Sequence, residues 1–420
     1  MVAGEYIIVA GKPFDGQVST LVIDLEKGFF SEGKSSGSND NVLGYTMTEN
    51  QIHIYYGSGP DERRKSWCTY DRLTSRISTM EAAKSKEPNV VVGFNADHRY
   101  TELICDDDIL INSYIGDSVV DQRKLIASDE LRKEIRSNTF TFIPKLADYH
   151  FGMVRNPNKI YFHEDDLIIT MPWRSDKEYA SLLLSKTSSD SLLQYTINLP
   201  FGKKTPFNSF LSHDEFLFAL AIDGDFLGLS IFDSSRTSVK DLRYVKEKPV
   251  EFKRTDLIKD GENLDRQWRG KWDDDQIAKY TLKVLNAGLP VVAVGEGDAS
   301  FRLLVGSTKP NSSGGPIPMG VGVNGAPLGY AWLNSADQYN WKGYNGDYSS
   351  RVHFYGQLNN DFEPSSEETE RGTLYRVAVR LAELRQSIKI GDYGIINSEK
   401  ATYLVYLNKK DRKLNVEEFK

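Results

Sequence analysis

Leu43-Gly-Tyr-Thr-Met47 is followed by Thr48-Glu-Asn-Gln51 and then by Ile52-His-Ile-Tyr-Tyr56. Odd positions of the first run and even positions of the second are apolar. A period of two buries one face of each run, and the polar tetrapeptide between them is a turn, so the stretch reads as an antiparallel hairpin.

The same shape recurs outward from there. It returns as Leu103-Ile-Cys105, Asp106-Asp-Asp108, Ile109-Leu-Ile111, and as Ile160-Tyr-Phe162, His163-Glu-Asp-Asp166, Leu167-Ile-Ile169. Further copies are Phe210-Leu211 with Phe216 to Leu220, Val291 to Val294 with Phe301 to Val305, and Gly394-Ile-Ile396 with Thr402 to Leu407. An opening unit lies around Ile7 to Leu25, and a fainter one at Tyr330 to Leu333. Second hairpins follow several units, as in Tyr179 to Leu184 with Leu192 to Ile197, and Phe226 to Phe232 with Asp241 to Val245. Two hairpins in every ~50 to 60 residues make four strands per unit, which is the arithmetic of propeller blades. The expected fold is mainly β: repeated antiparallel hairpins, β-propeller-like, about six to eight blades in one domain over 1–420. An array of ordinary sandwich hairpins produces the same local pattern. A ring of blades is expected to pair the strand near Tyr6 to Ala10 with the one near Thr402 to Leu407, since an unclosed ring leaves open edges.

Short helices interrupt the repeat. In Asp273 to Gly288, Ile277, Tyr280, Val284 and Leu285 share one helical face, Asp273 can cap the start, and Gly288 with Pro290 can stop it. Ser128 to Ser137 reads as a second helix, and Tyr375 to Leu381 fits either a strand or a helix. A loop-rich insertion is expected over 309–372, where Lys309 to Pro327 is rich in Gly, Pro and Ser.

Composition narrows the function. The chain has 420 residues and a net charge of -7, with no dense Lys/Arg run, so nucleic acid is not an expected partner. No apolar run approaches the ~20 residues that span a bilayer, and no signal peptide is legible at Met1-Val-Ala-Gly-Glu5, so a soluble chain without membrane insertion is expected. Cys68 and Cys105 are the only cysteines, and both read as small buried apolar side chains. The six histidines lack zinc-site spacing.

No cofactor is expected, and Asp223-Gly-Asp225 is the calcium candidate. The acidic groups Asp106 to Asp108, Asp165-Asp166 and Asp273 to Asp275 read as turn and cap residues. Gly320-Val-Gly-Val-Asn-Gly325 matches a dinucleotide pattern by letters only, because Pro327 blocks the helix that would have to follow.

Two polar runs carry the candidate chemistry. Asn95-Ala-Asp-His-Arg-Tyr100 ends a strand and sets Asp97, Arg99 and Glu102 close together. Trp332, Tyr339, Trp341, Tyr344 and Tyr348, with Phe354 and Tyr355 beyond them, lie among Asn, Asp, Gln and Gly. Flat rings beside amides suit sugar faces, and Tyr and Trp also anchor protein interfaces. The leading expectation is a non-catalytic recognition or structural protein that binds glycan or protein, as at a cell surface or in a virion attachment or tail component. Its binding residues would be those five rings and Arg99. The alternative is a propeller glycoside hydrolase drawing two carboxylates from Asp97, Glu102, Asp223 and Glu296. The hairpin units resemble the blades of sialidase and other glycosidase propellers; no functional residue is carried over from that resemblance.

Overall fold

The computed structural model describes residues 2–3, 6–11, 19–24, 29–34, 41–57, 66–81, 91–96, 99–138, 140–143, 149, 154–163, 166–173, 179–188, 190–202, 204–212, 216–246, 248–259, 262–268, 271–297, 300–310, 348–365, 376–377, 380, 383–384, 390–397, 401–408, 410 and 413–419. They form seven sheets, each drawn from one continuous stretch of chain.

The first sheet holds β1 (Val2–Ala3), β2 (Tyr6–Gly11), β3 (Ser19–Asp24) and β4 (Phe29–Lys34). The second holds β5 (Asn41–Met47), β6 (Gln51–Gly57), β7 (Ser66–Asp71) and β8 (Arg76–Glu81). The third holds β9 (Val91–Ala96), β10 (Arg99–Cys105), β11 (Ile109–Ile115) and β12 (Ser118–Leu125). After helix α1 (Asp129–Ser137), the fourth has β13 (Thr141–Phe142), β14 (Lys159–His163), β15 (Asp166–Trp173), β16 (Tyr179–Ser188) and β17 (Ser191–Gly202). The fifth has β18 (Phe207–Leu211), β19 (Leu217–Ile222), β20 (Phe226–Phe232) and β21 (Ser238–Val245).

The sixth sheet opens with β22 (Ile258–Lys259) and β23 (Glu262–Asn263), and helices α2 (Leu264–Trp268) and α3 (Asp274–Leu285) follow. It is completed by β24 (Leu289–Gly297), β25 (Ser300–Pro310) and β26 (Tyr348–Asn359), in the spatial order β23-β22-β26-β25-β24. The last sheet is β27 (Ile390–Asn397), β28 (Thr402–Asn408) and β29 (Lys413–Phe419). Seven consecutive sheets, mostly antiparallel meanders, make the propeller-like repeat that the hairpin pattern predicts, within the expected range of blades.

Burial follows position in the sheet. Every residue of β19 is buried, as a strand covered on both faces requires, whereas β12 and β21 are exposed along most of their length. One apolar core runs through the fourth to seventh sheets, and a second joins the third and fourth sheets to α1. β18 packs against β24 across the fifth and sixth sheets, and Phe218 meets Phe301 at 5.6 Å between ring centres.

Helix α3 obeys its sequence signals. Asp273 accepts from the Gln276 amide at 2.8 Å, and the Gln276 side chain accepts from the Asp273 amide at 3.1 Å, a complete capping box. Gly288 is needed for contact: a Cβ there would stand 2.5 Å from the Thr308 carbonyl. Ser128 likewise caps α1. Arg376, Val377, Arg380, Glu383 and Leu384 have helical backbone, with Val377 and Leu384 buried; residues 375, 378, 379 and 381 of the ambiguous stretch lie outside the described residues.

One expectation is corrected. The strand near the N-terminus does not share a sheet with Thr402–Asn408. β2 pairs with β1 and β3, and β28 pairs with β27 and β29, so each end completes a meander of its own. The expected 309–372 insertion also contains β26, whose register with β25 runs from Ser300↔Asn359 to Pro310↔Tyr348. Phe354 on that strand is fully buried in the core, so it is no ligand-stacking ring.

Candidate functional site

A cluster of polar and aromatic side chains lies between the second and third sheets. In β6 and β7 the alternation sends His53, Tyr55, Trp67 and Thr69 to one face, with Thr46↔His53↔Thr69 and Gly44↔Tyr55↔Trp67 as cross-strand rows. On the facing sheet the rows are Asn95↔Tyr100↔Tyr114 and Gly93↔Glu102↔Asn112↔Gln122. Tyr55, Trp67, Tyr100 and Tyr114 form one buried cluster. Tyr55 stacks on Tyr100 at 4.6 Å, and Tyr114 lies 6.2 Å from Tyr100.

Hydrogen bonds lock the joint. Thr46 Oγ1 donates to the Tyr114 carbonyl at 2.7 Å and accepts from the Tyr100 amide at 3.1 Å. Tyr55 Oη lies 3.2 Å from both Thr46 Oγ1 and the Tyr114 carbonyl, and it accepts from the Gly116 amide at 3.0 Å. Gly116 takes the left-handed φ of 57° that turns β11 into β12. The Tyr100 hydroxyl donates to Glu102 at 3.3 Å, while Gln122 donates to Asn112 at 2.9 Å and Asn112 to the Tyr114 hydroxyl at 3.2 Å.

His53 is buried here, and burial holds its pKa below the ordinary histidine value. Its Nδ1 pairs with Thr69 Oγ1 at 2.9 Å, and its Nε2 has no hydrogen-bond partner among the described residues.

The candidate carboxylates fall in unlike places. Glu102 is 1% exposed within this joint. Asp223 is exposed at the turn between β19 and β20, where it accepts from the Gly224 amide at 2.5 Å. These two stand on different sheets and do not form a facing pair with a shared environment. Glu296 is on β24 opposite Phe301, and its side chain lies outside the described residues, as does all of Asp97. Arg99 is on β10 opposite Ala96 and Tyr348 is on β26 opposite Pro310, again without described side chains. Trp332, Tyr339, Trp341, Tyr344, the 320–325 glycine pattern and the 330–333 unit lie outside the described residues.

Two residues of the Asp106 to Asp108 tip are ion-paired. Lys124 pairs with Asp108 at 2.6 Å, and Arg136 with Asp106 at 3.8 Å. Beside them a depression of about 530 Å³ is lined by Asp107, Asp129, Arg132, Lys133, Arg136 and Ser137. Among the described residues no group of three or more His, Cys, Asp or Glu is placed to hold a metal ion, and no helix is long and apolar enough to cross a membrane. Cys68 and Cys105 are buried thiols, and burial raises both above the usual thiol value.

Lys159 is a polar group that sequence reading passed over. It is fully buried between β14 and β18, and its ammonium donates to Asn208 Oδ1 and to the Ser209 carbonyl, each at 2.6 Å. Burial drives its pKa well below the normal lysine value. The missed signal was the single charge at the start of the apolar run Ile160-Tyr-Phe162.

No family and no curated protein matches the chain in sequence. Solved structures similar to it include the polysaccharide lyase Uly1, at 8% identity and a TM-score of 0.36, covering 100% of this chain and 88% of that one. The Dos1 propeller is similar at 9% identity and a TM-score of 0.28, covering 71% of this chain and 68% of that one.

Proposed function

We propose that this chain is a non-catalytic recognition protein. Its propeller-like scaffold holds a glycan-binding surface built on the aromatic-rich connection between β25 and β26. The observation that supports this reading is the register of those two strands, which sets Pro310 and Tyr348, the feet of the connection, side by side at the end of a long ladder. Binding residues placed on loops above a rigid sheet are a common division of labour. Between those feet the sequence supplies Trp332, Tyr339, Trp341 and Tyr344 among amides and glycines. Such rings stack on sugar C–H faces while amides take the hydroxyls. A surface exposed outside the cell or on a virion suits this reading.

A glycan-array screen of the full chain tests it, with product analysis on every hit. Trp341→Ala combined with Tyr344→Ala should abolish the signal and leave the thermal midpoint unchanged. Retained binding together with a large loss of midpoint would show that these rings are core and overturn the proposal. Cleaved product from any hit would replace it with the hydrolase reading. Capture of a defined protein partner without any glycan signal would replace the ligand class.

A further inference from the structure

Helices α2 and α3 meet through three aromatic rings. Trp268 ends α2, Trp272 lies in the connection and Tyr280 stands on the second turn of α3. The ring centres of Trp268 and Trp272 are 5.3 Å apart, those of Trp268 and Tyr280 4.9 Å, and those of Trp272 and Tyr280 4.7 Å. Trp268 is buried in the largest core, whereas Trp272 and Tyr280 are only partly buried against it. Joining the two helices accounts for Trp268. The other two rings hold each other in place and keep part of their surface in water, as an aromatic anchor for a ligand does.

The polar groups around these two rings are mostly donors. Ile277 and Val284 flank Tyr280 on the side packed against the core, which leaves Gln276 and Lys283, both exposed, on its outer side. Gln276 spends its side-chain oxygen on the α3 cap. Among the described residues its side-chain nitrogen, Trp272 Nε1 and Tyr280 Oη have no hydrogen-bond partner. The Lys283 ammonium stands 5.3 Å from the centre of the Tyr280 ring. Neither Lys283 nor exposed Lys279 has a carboxylate within ion-pair reach among the described residues. Asp273 is committed to the Gln276 amide, and Asp274 and Asp275 lie at the far end of α3, roughly 13 Å from Lys283 along the axis at 1.5 Å per residue.

Two ligand chemistries suit a group of rings at a surface. Ring faces attract a quaternary ammonium ion, but Lys283 already holds that position over Tyr280 and would repel a second cation. A sugar ring lays its C–H groups on an aromatic face and turns its oxygens toward donors at the rim. An unpaired ammonium beside the rings adds a preference for negative charge on that sugar. We propose that the α2–α3 joint binds an anionic sugar residue, carboxylated or sulfated. Its ring stacks on Trp272, its acidic group meets Lys283, and its hydroxyls meet Tyr280 Oη and the Gln276 side-chain amide. None of these residues belongs to the connection between β25 and β26, so the site stands whether or not that connection binds glycan.

The test titrates two pairs of probes into the full chain, with and without Trp341→Ala and Tyr344→Ala. One pair is oligogalacturonate and its methyl ester, and the other is a sulfated galactan oligosaccharide and its desulfated form. The indole N–H signal of Trp272, identified by its loss in Trp272→Ala, is followed by NMR. In both backgrounds at least one anionic probe should move that signal and bind about tenfold more tightly than its neutral form, the worth of one charge-assisted contact. Which of the two binds names the acidic group. Lys283→Glu should erase the preference for the anionic form, and Trp272→Ala should abolish binding. Lys283 is exposed, so Lys283→Glu should keep the melting curve of the unmodified chain even where Trp272→Ala does not. Binding that vanishes with Trp341→Ala and Tyr344→Ala would place the ligand on the connection and overturn this site alone. Failure of both anionic probes, equal binding of charged and neutral forms, or a preference that survives Lys283→Glu would overturn the proposal. So would a Trp272 signal that moves with tetramethylammonium and with neither anionic probe.

Discussion

The joint between the fifth and sixth sheets and the joint between the second and third do the same structural task with opposite materials. The first is apolar: Phe218, Phe301 and Phe362 meet at 5.1 to 6.2 Å between ring centres, inside the largest core. The second is made of tyrosine hydroxyls, a threonine, a histidine and a carboxylate, with stacked rings between them. An apolar joint draws on area removed from water and tolerates small shifts. A polar joint is directional, because each buried donor needs its partner in place, and a missing partner costs the full desolvation of the group left behind. The polar joint therefore also titrates.

Removing the centre of the apolar joint should have the largest effect. Phe218→Ala is expected to destabilise the chain by about 3–5 kcal/mol, read from denaturant midpoints, since a fully buried ring leaves a cavity. A loss below that of a surface substitution would show that this joint can collapse and is less closely packed than its ring contacts suggest.

The corresponding cut in the polar joint is smaller. Tyr55→Phe keeps the stacking on Tyr100 but strips the Gly116 amide of its acceptor, at an expected cost of about 1–3 kcal/mol. Equal stability of Tyr55→Phe and the unmodified chain would mean that the hydroxyl network does not hold these sheets.

The smallest and most selective difference is the response to acid. Burial lowers the His53 pKa in the folded chain, so the unfolded chain binds more protons between that lowered value and the free value of about 6.5. His53 therefore favours folding above pH ~6.5, and that contribution is lost as pH falls through the window. His53→Phe should flatten this part of the stability profile, while Phe218→Ala should shift the whole profile without changing its slope. An identical slope with and without His53 would locate the acid sensitivity elsewhere.

Much of this architecture is legible along the chain. The turns at Thr48, Asp106, Ser212 and Asn397 separate strands where the polar interruptions say they should, because a hairpin is specified by neighbours in sequence. Helix α3 is equally local, with its cap, its period and its stop all inside sixteen residues. Glu102 is another matter. Its run looks like an exposed acid-base-cation group, yet the strand register turns the carboxylate into a buried joint beside Tyr100. The expected closure of the ends failed for a related reason. Two apolar runs at opposite ends say that each needs partners, and Val2–Ala3 on one side and Lys413–Phe419 on the other supply them locally.

The sequence by itself determined the hairpins, the number of repeated units to within one and the caps of the helices. All of these rest on periodicity and composition over a few residues. The tertiary structure alone decided which face of each sheet meets which neighbour. It brought Tyr55, Trp67, Tyr100 and Tyr114 together and sealed Lys159 against Asn208. Those contacts join residues dozens of positions apart. Alternation states that a strand has a buried face, but only the packing of one sheet on the next selects what covers it.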